Sequence, residues 1–151
     1  MKVEKIVKKT ETINLTITGI TLLSIEEYEA CKDHIPPLKV WWWLRSPGYG
    51  SYDAAGVIGG GSVYYGGGRV NSDGVCVRPA LQISNLESSH LKIGDEFEFG
   101  GKEWTVISDS LAICNKCIGE RPFRKDWLAP DANSYEASDN LPPHTRDFSR
   151  E

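Results

Sequence analysis

The sequence predicts an α+β domain: a small twisted antiparallel sheet, one or two helices, and long, ordered, glycine-rich loops. Several short segments alternate apolar and polar residues with the period of a strand. One segment carries the start and stop signals of a helix. Nine of the 15 glycines fall within residues 49–74, where they favour turns. A chain of 151 residues is long enough for one domain with one core.

The first elements are a strand and a short helix. Residues 13–23 alternate apolar residues with Thr and Asn, which predicts a strand bent at Gly19. Ser24 stands where a helix N-cap is expected and forms a capping-box pattern with Glu27. The helix should end before Pro36, because proline cannot continue it.

Three consecutive tryptophans occupy residues 41–43. Successive side chains of a strand point to opposite faces, so the three rings cannot all share one face. We expect at least one ring in the core and one at the other face or at a rim. A turn follows over residues 45–48, because Pro47 fixes φ and Gly48 permits a positive φ.

Residues 49–74 differ in composition from the rest of the chain, because Tyr, Ser, Asp, Asn and short apolar anchors stand between the glycines. We interpret them as two or three short strands joined by glycine turns. The polar residues and tyrosines should face outward and the apolar anchors inward. The anchors are Ala54, Ala55, Val57, Ile58, Val63, Val70 and Val75.

Further β-structure is predicted in the second half of the chain. Residues 75–83 are strongly β-forming, and Pro79 marks a bulge, an edge or a strand end. Gly100 and Gly101 predict the turn of a hairpin that a later strand continues. These segments are residues 97–99, 104–107 and 111–114.

The two ends should be less ordered than the middle. Residues 1–12 are polar and rich in lysine, which favours a weakly ordered start. Residues 139–151 are polar and contain prolines, which favours a disordered tail. The domain itself is expected over residues 13–138.

Composition and charge exclude several classes of partner. The net charge of -4 and the scattered basic residues argue against nucleic acid, which needs a clustered basic face. No stretch approaches the roughly 18 apolar residues of a membrane span. The first residues lack the apolar segment of a signal peptide. We therefore expect a cytoplasmic chain with no nucleic-acid or membrane partner, and a virion is the alternative location.

The four cysteines are Cys31, Cys76, Cys114 and Cys117. A reducing compartment predicts free thiols. Cys114 and Cys117 form a lone C-x-x-C, whereas a structural zinc site needs a second pair or suitably spaced histidines. Structural thiols, a metal site and a redox site are all compatible with this pair.

Sequence motifs of catalysis are missing: there is no nucleophile elbow, no H-E-x-x-H and no P-loop. The sequence therefore predicts no catalytic residue, no cofactor and no enzymatic activity. Tyr, Ser, Gly and Asn are instead typical of binding loops, because Tyr supplies contact area with few rotatable bonds and the others supply adaptable hydrogen bonds. On composition alone, a plain glycine-rich turn region is an equally good interpretation.

Several motifs resemble a family of C-type-lectin-fold domains. Residues 42–48 read W-W-L-R-S-P-G and residues 77–81 read V-R-P-A-L, with A-A-G-V and G-S-V between them. Many members of this family are bacterial or prophage proteins of undefined function. It is related to the formylglycine-generating, sulfatase-modifying fold and is similar to the variable proteins of diversity-generating retroelements. The core match covers residues 41–83, and residues 22–28 before it also resemble the family. Residues 99–107 and 133–138 resemble the part that usually comes first in such domains, so the order here resembles a circular permutation.

This resemblance implies a C-type-lectin-like domain that binds a protein or glycan through a surface diversified by a retroelement. We expect a monomer or a small homo-oligomer. The resemblance implies scaffold roles for Trp43, Arg45, Pro47, Gly48, Arg78 and Pro79. It implies a ligand-facing surface made of Tyr49, Ser51, Tyr52, Asp53, Tyr64, Tyr65, Arg69, Asn71, Ser72 and Asp73. The alternatives are an assembly module of a phage particle and a metalloenzyme similar to the formylglycine-generating enzymes, which use a cysteine pair with copper.

Overall fold

The computed structural model describes residues 2–8, 11–121 and 123. One α-helix, nine β-strands and two 3-10 turns make up this part of the chain. In chain order they are β1 (Lys2–Lys8), β2 (Glu11–Thr21), α1 (Ile25–Cys31), a 3-10 turn (Lys32–His34), β3 (Trp42–Pro47), β4 (Asp53–Val57), β5 (Val63–Arg69), β6 (Ala80–Ile83), a second 3-10 turn (Glu87–Ser89), β7 (Glu96–Phe99), β8 (Lys102–Val106) and β9 (Leu111–Cys114).

Six strands close into an antiparallel barrel in the order β1-β2-β6-β9-β8-β7. The ring closes where Val7 of β1 pairs with Glu98 of β7. Alternate residues of the strands point into the barrel and form one apolar core. That core includes Leu15, Ile17, Leu81, Ile83, Phe97, Trp104, Val106 and Ala112.

The remaining three strands form a second antiparallel sheet, in the order β3-β4-β5. It lies in the chain between β2 and β6, which pair with each other in the barrel. The barrel therefore carries the three-stranded sheet, together with α1, as an insertion between two neighbouring strands. The α+β class and the antiparallel pairing predicted from the sequence are confirmed.

The three tryptophans at residues 41–43 point to different sides of the sheet, as the alternation of side chains along a strand requires. Trp42 packs with Tyr28 and Leu44 in the core beneath α1. Trp43 lies on the opposite side, in a cluster with Phe123, and Trp41 packs at the edge of that cluster. Both Trp42 and Trp43 are fully buried, whereas Trp41 is half-buried. The expected split of the three rings between the core, the other face and a rim is confirmed.

A short segment extends the three-stranded sheet beyond β3. Cys76 forms a parallel bridge with Trp42 and an antiparallel bridge with Glu120. A disulfide joins Cys76 to Cys117, with 5.6 Å between their Cα atoms. The bond ties the segment beside β3 to the chain that follows β9.

Most local predictions are confirmed. Ser24 and Glu27 make both hydrogen bonds of the capping box. Gly19 lies at a register shift between β2 and β6, which matches the predicted bend. Gly100 and Gly101 both have positive φ and connect β7 to β8 as a hairpin. The stretch 49–74 holds two strands, β4 and β5, within the predicted two or three.

Two predictions are wrong. Residues 1–12 were expected to be weakly ordered, but Lys2–Lys8 forms a strand that pairs with β2 over seven residues. The lysine-rich pattern did not predict this strand, because its backbone hydrogen-bond partners come from a neighbouring strand. Free thiols were expected throughout, but Cys76 and Cys117 are bonded, and only Cys31 and Cys114 are free. The predicted tail over residues 139–151 and the likeness at residues 133–138 lie outside the described residues.

Candidate functional site

The glycine triplet of β5 forms a bulge. Along β5 the pairing with β4 moves from Gly68 to Tyr64, four residues, while β4 advances only from Ala54 to Gly56. Gly67 has φ of 82°, and a Cβ there would lie 2.6 Å from the carbonyl oxygen of Ala54. Only glycine fits this position without strain, because both the φ and the close approach exclude a side chain.

The bulge holds the turn that carries Tyr49. The Tyr49 N–H donates to the carbonyl oxygen of Gly66 at 3.0 Å. Within the turn, Gly48 N–H donates to Asp53 O at 2.6 Å, and Asp53 N–H donates to Gly50 O at 3.1 Å. The Tyr49 side chain nevertheless remains 85% exposed. Its backbone is therefore fixed while its ring is available for contact.

An aromatic row, made of Tyr49, Tyr64 and Trp41, crosses one face of the sheet. The rings of Trp41 and Tyr64 have centroids 5.6 Å apart. Tyr49 and Tyr64 both come within 3.6 Å of where a Cβ of Gly66 would stand, so their rings flank that glycine. Trp41 lies on Gly68, whose Cβ would be 2.5 Å from its ring. Glycines thus let the rings lie close to the backbone of β5.

The row is continuous with the core behind it. The centroid of Trp41 lies 6.1 Å from that of Trp43, and Trp43 lies 5.6 Å from Phe123. The Trp43 indole N–H donates to the carbonyl oxygen of Arg121 at 2.9 Å. Buried aromatic neighbours and a hydrogen bond therefore hold the inner end of the row in place.

Charged and polar side chains lie beside the row. Asp53 and Arg69 are cross-strand partners, and Asp53 Oδ1 lies 3.6 Å from Arg69 Nε. The Arg69 side chain is 60% exposed, so solvent screens this ion pair and it adds little stability. Ser51, on the Tyr49 turn, is exposed.

Residues 71–73 follow β5 in a turn, where Ser72 N–H donates to the carbonyl oxygen of Arg69 at 3.0 Å. Asn71 and Asp73 are exposed, and Ser72 is half-buried. These three residues therefore border the strand that carries Tyr64 without being part of the row.

Two of the tyrosines in the sequence-predicted surface point elsewhere. Tyr65 faces α1, where its hydroxyl donates to a carboxylate oxygen of Glu29, and this hydrogen bond raises the pKa of Tyr65. Tyr52 packs against the cluster that contains Trp43 and Val70. The structure gathers Tyr49 and Tyr64 on one face. Tyr52 packs within the fold, whereas Tyr65 is 45% exposed and contacts Glu29 of α1.

Sequence reasoning missed Trp41 as a member of the surface. The sequence contained a signal for it, because residues two apart in a strand share a face, as Trp41 and Trp43 do. One ring of the tryptophan run was also expected at a rim. Trp41 shares the face of Trp43 but lies outside the buried core. Its exposed part continues the line from Tyr49 and Tyr64.

The C-x-x-C pair does not act as a unit. Cys117 is bonded to Cys76, whereas Cys114 is buried and free on β9. Within residues 2–8, 11–121 and 123, no three His, Cys, Asp or Glu side chains are grouped as metal ligands. The metal and redox interpretations of Cys114 with Cys117 are therefore wrong, because one of the two thiols is already used.

No helix in the described part of the chain has the length and apolar character to cross a membrane. Comparisons with protein-family models, curated proteins and solved structures gave no match.

Proposed function

We propose that this protein is a non-catalytic binding domain whose protein or glycan ligand docks on the aromatic row. The observation that carries the proposal is the combination of the exposed rings of Tyr49 and Tyr64, the half-buried ring of Trp41 and the fixed backbone of the Tyr49 turn. Tyr49 is 85% exposed and Tyr64 is 49% exposed. A contiguous exposed apolar patch marks an interaction site more often than scattered exposed residues do.

Pre-organisation favours binding at this surface. The turn around Tyr49 is held by backbone hydrogen bonds to Gly66 and Asp53. A ligand that contacts these rings therefore orders little additional backbone, and the entropic cost of association stays low. Tyr and Trp provide large contact areas while immobilising only two side-chain torsions each.

The neighbouring polar groups supply specificity. Asp53 and Arg69 present opposite charges beside the row, and Ser51 presents a hydroxyl. Aromatic rings bordered by such groups suit both a sugar ring and a peptide side chain. The ligand is therefore a protein or a glycan, in keeping with the resemblance of residues 41–83 to variable binding proteins.

We propose a C-type-lectin-like assignment for the region that holds α1 and strands β3 to β5. What supports it is the location of the W-W-L-R-S-P-G and V-R-P-A-L motifs. The first motif forms β3, and the second enters β6. Retroelement diversification is part of the same proposal, since Tyr49, Ser51 and Tyr64 lie on a face that is separate from the buried anchors.

An oxidising location is also part of the proposal. The Cys76–Cys117 disulfide favours an extracellular or virion-exposed site, because such bonds are rare in a reducing cytoplasm. This observation opposes the cytoplasmic location expected from the sequence. Mass spectrometry of alkylated protein, purified from its source without reductant, would show the bond, and four alkylated thiols would contradict the proposal.

Binding to an array of glycans and immobilised peptides tests the function. The wild-type chain should bind a defined subset of these glycans or peptides. A variant with Tyr49, Tyr64 and Trp41 all changed to Ala should bind them at least tenfold more weakly, because aromatic anchors dominate such interfaces. Ile93→Ala is the matched control, since Ile93 is 49% exposed on the loop before β7. Equal binding by the triple variant would contradict the site, and the absence of any bound ligand would contradict the function.

A further inference from the structure

A short segment after β9 lies behind the aromatic row. It comprises residues 117–121 and 123, and we call it the strap. Ile118 N–H donates to the carbonyl oxygen of Val77 at 3.0 Å, and Arg121 N–H donates to that of Val75 at 3.0 Å. These hydrogen bonds hold the strap along the chain that leads into β6.

The strap supports the inner end of the row. The Arg121 carbonyl oxygen accepts a hydrogen bond from the Trp43 indole N–H at 2.9 Å. Phe123 is fully buried, and its ring meets that of Trp43 edge-on. Trp43 in turn packs against Trp41, and Trp41 packs against Tyr64. Movement of the strap therefore removes two partners of Trp43 and loosens the rings of the row.

The disulfide fastens the strap to the backbone that holds the tryptophans. Cys117 begins the strap, and its bonded partner Cys76 is fully buried. Cys76 N–H donates to the carbonyl oxygen of Trp41 at 2.7 Å, and Trp43 N–H donates to that of Cys76 at 3.0 Å. One covalent bond therefore connects the strap to the residue that hydrogen-bonds with the backbone of both tryptophans.

A thiol has access to this disulfide from the Cys117 side. Cys117 is half-buried, whereas Cys76 has no exposed surface. Cys117 lines a cavity of about 200 Å³ together with the exposed Lys102 and Lys116. The attacking species in disulfide exchange is a thiolate, so two ammonium groups favour its approach. Glu103, which also lines the cavity, offsets part of this attraction.

We propose that the Cys76–Cys117 bond is a redox switch that controls the aromatic row, an inference that rests on the function proposed above. A thiolate of a dithiol attacks Cys117 Sγ and forms a mixed disulfide, and Cys76 leaves as a thiolate that takes up a proton. The second thiol of the dithiol then attacks its own sulfur in the mixed disulfide, and Cys117 leaves as a thiolate that also takes up a proton. Two electrons and two protons thus pass to the protein, and the dithiol becomes a cyclic disulfide.

The two states differ in how the strap is held. While the bond is intact, as in the oxidising location proposed above, the strap is fixed and the rings of Trp41 and Tyr64 are supported. After reduction, only hydrogen bonds and ring contacts hold the strap, so it opens more often. The reduced protein therefore presents a loosened row and binds its ligand more weakly.

Amide hydrogen exchange of the full chain, with and without dithiothreitol, tests the switch. Reduction should accelerate exchange of the Ile118 and Arg121 amides by about tenfold or more, because the covalent restraint on opening is gone. The indole ¹H–¹⁵N signal of Trp41 should shift or broaden. The Val106 amide, which donates to the carbonyl oxygen of Asp95 at 2.9 Å in the barrel, is the internal control and should exchange at an unchanged rate.

Unchanged exchange of the strap amides after reduction would overturn the proposal. Equal acceleration at Val106 would also overturn it, because the fold would then open as a whole. An unaltered Trp41 signal would overturn the link between the strap and the row. None of these signals needs a ligand, so their outcome is independent of whether a glycan or a peptide binds the row.

Four variants locate the reacting sulfur and the route of attack. Cys117→Ser should show fast exchange of the strap without reductant and no response to it. Cys114→Ala removes the free thiol that also lines the cavity, and it should keep the wild-type response. A lost response in Cys114→Ala would overturn direct attack by the dithiol.

Lys116→Glu should slow reduction by dithiothreitol about three- to tenfold at low salt, because it repels the thiolate. Lys92→Glu makes the same change of net charge at an exposed residue that does not line the cavity, and it should leave the rate unchanged. Equal rates for these two variants would overturn the cavity as the route of attack.

Discussion

Arg45 Nη1 lies 2.5 Å from a carboxylate oxygen of Glu27. The same nitrogen donates to the carbonyl oxygen of Leu22 at 2.7 Å, and Glu27 also accepts from the Ser24 N–H at 2.9 Å. One carboxylate thus joins the start of α1 to β3. Burial by itself raises the pKa of Glu27, but the hydrogen bonds from Arg45 and Ser24 and the charge of Arg45 outweigh it and lower the pKa overall.

This lowered pKa predicts a loss of stability in acid. The contribution of Glu27 is fully present above its unfolded-state pKa and disappears as the pH falls through the lower folded-state pKa. Glu27→Gln should therefore lower the free energy of unfolding by about 1 kcal/mol at pH 7 and by much less near pH 3. Urea unfolding between pH 3 and 7 measures this, with the exposed Glu26→Gln as control. A deficit independent of pH would contradict the assignment.

Arg78 should contribute to stability through the three carbonyl groups that it satisfies. Arg78→Met keeps much of the apolar stem but leaves the acceptors of Pro36, Cys114 and Asn115 without their donor. We expect a loss of about 3 kcal/mol in the free energy of unfolding, measured by chemical denaturation. Arg78→Lys should lose less, because a single ammonium can still donate to some of these oxygens. A Met variant as stable as the wild type would show that the carbonyl groups find other partners.

Reduction of the Cys76–Cys117 bond should destabilise the fold. The bonded residues are 41 positions apart in the sequence, and closing a loop of that length is worth about 2–4 kcal/mol. Denaturation with and without reductant measures the difference. Cys76→Ser should reproduce the effect of the reductant and be insensitive to it. If reductant leaves the wild-type transition unchanged, the bond does not restrain the unfolded chain.

Gly68 should be required for the position of Trp41. Gly68→Ala places a Cβ 2.5 Å from the Trp41 ring, so the ring must move. We expect a loss of about 1–3 kcal/mol in stability and a change in tryptophan fluorescence. Gly74→Ala is the matched control, because nothing lies within 4 Å of its added Cβ. An unaltered fluorescence spectrum in Gly68→Ala would show that Trp41 does not rest on this glycine.

Local chemistry accounts for the elements that the sequence predicted. The capping box at Ser24, the bend at Gly19 and the turn at Gly100 depend on residues close together in the chain. Barrel closure depends instead on distant pairings, such as Val7 with Glu98, that no local pattern encodes. The cysteine pairing was inaccessible for a related reason, since spacing alone does not determine connectivity.

The candidate surface was predicted in composition but not in orientation. Simple alternation from Tyr64 places Tyr65 on the opposite face, as observed, but the bulge at residues 66–67 changes the register before Gly68. The docking of the Tyr49 turn on Gly66 depends on that bulge. Tyr52 was predicted to face outward because of its residue type, but its ring packs against the cluster that contains Trp43.

The bulge in β5 also affects the edge that this sheet presents to other molecules. The barrel is closed, but in the described part of the chain the three-stranded sheet ends at β5. A straight edge of seven residues would be a template for a strand from a second molecule. The positive φ of Gly67 breaks that edge into two short pieces. A straightened β5 would present more consecutive unpaired backbone groups to such a strand, so the glycine triplet that seats Tyr49 also disfavours pairing between molecules.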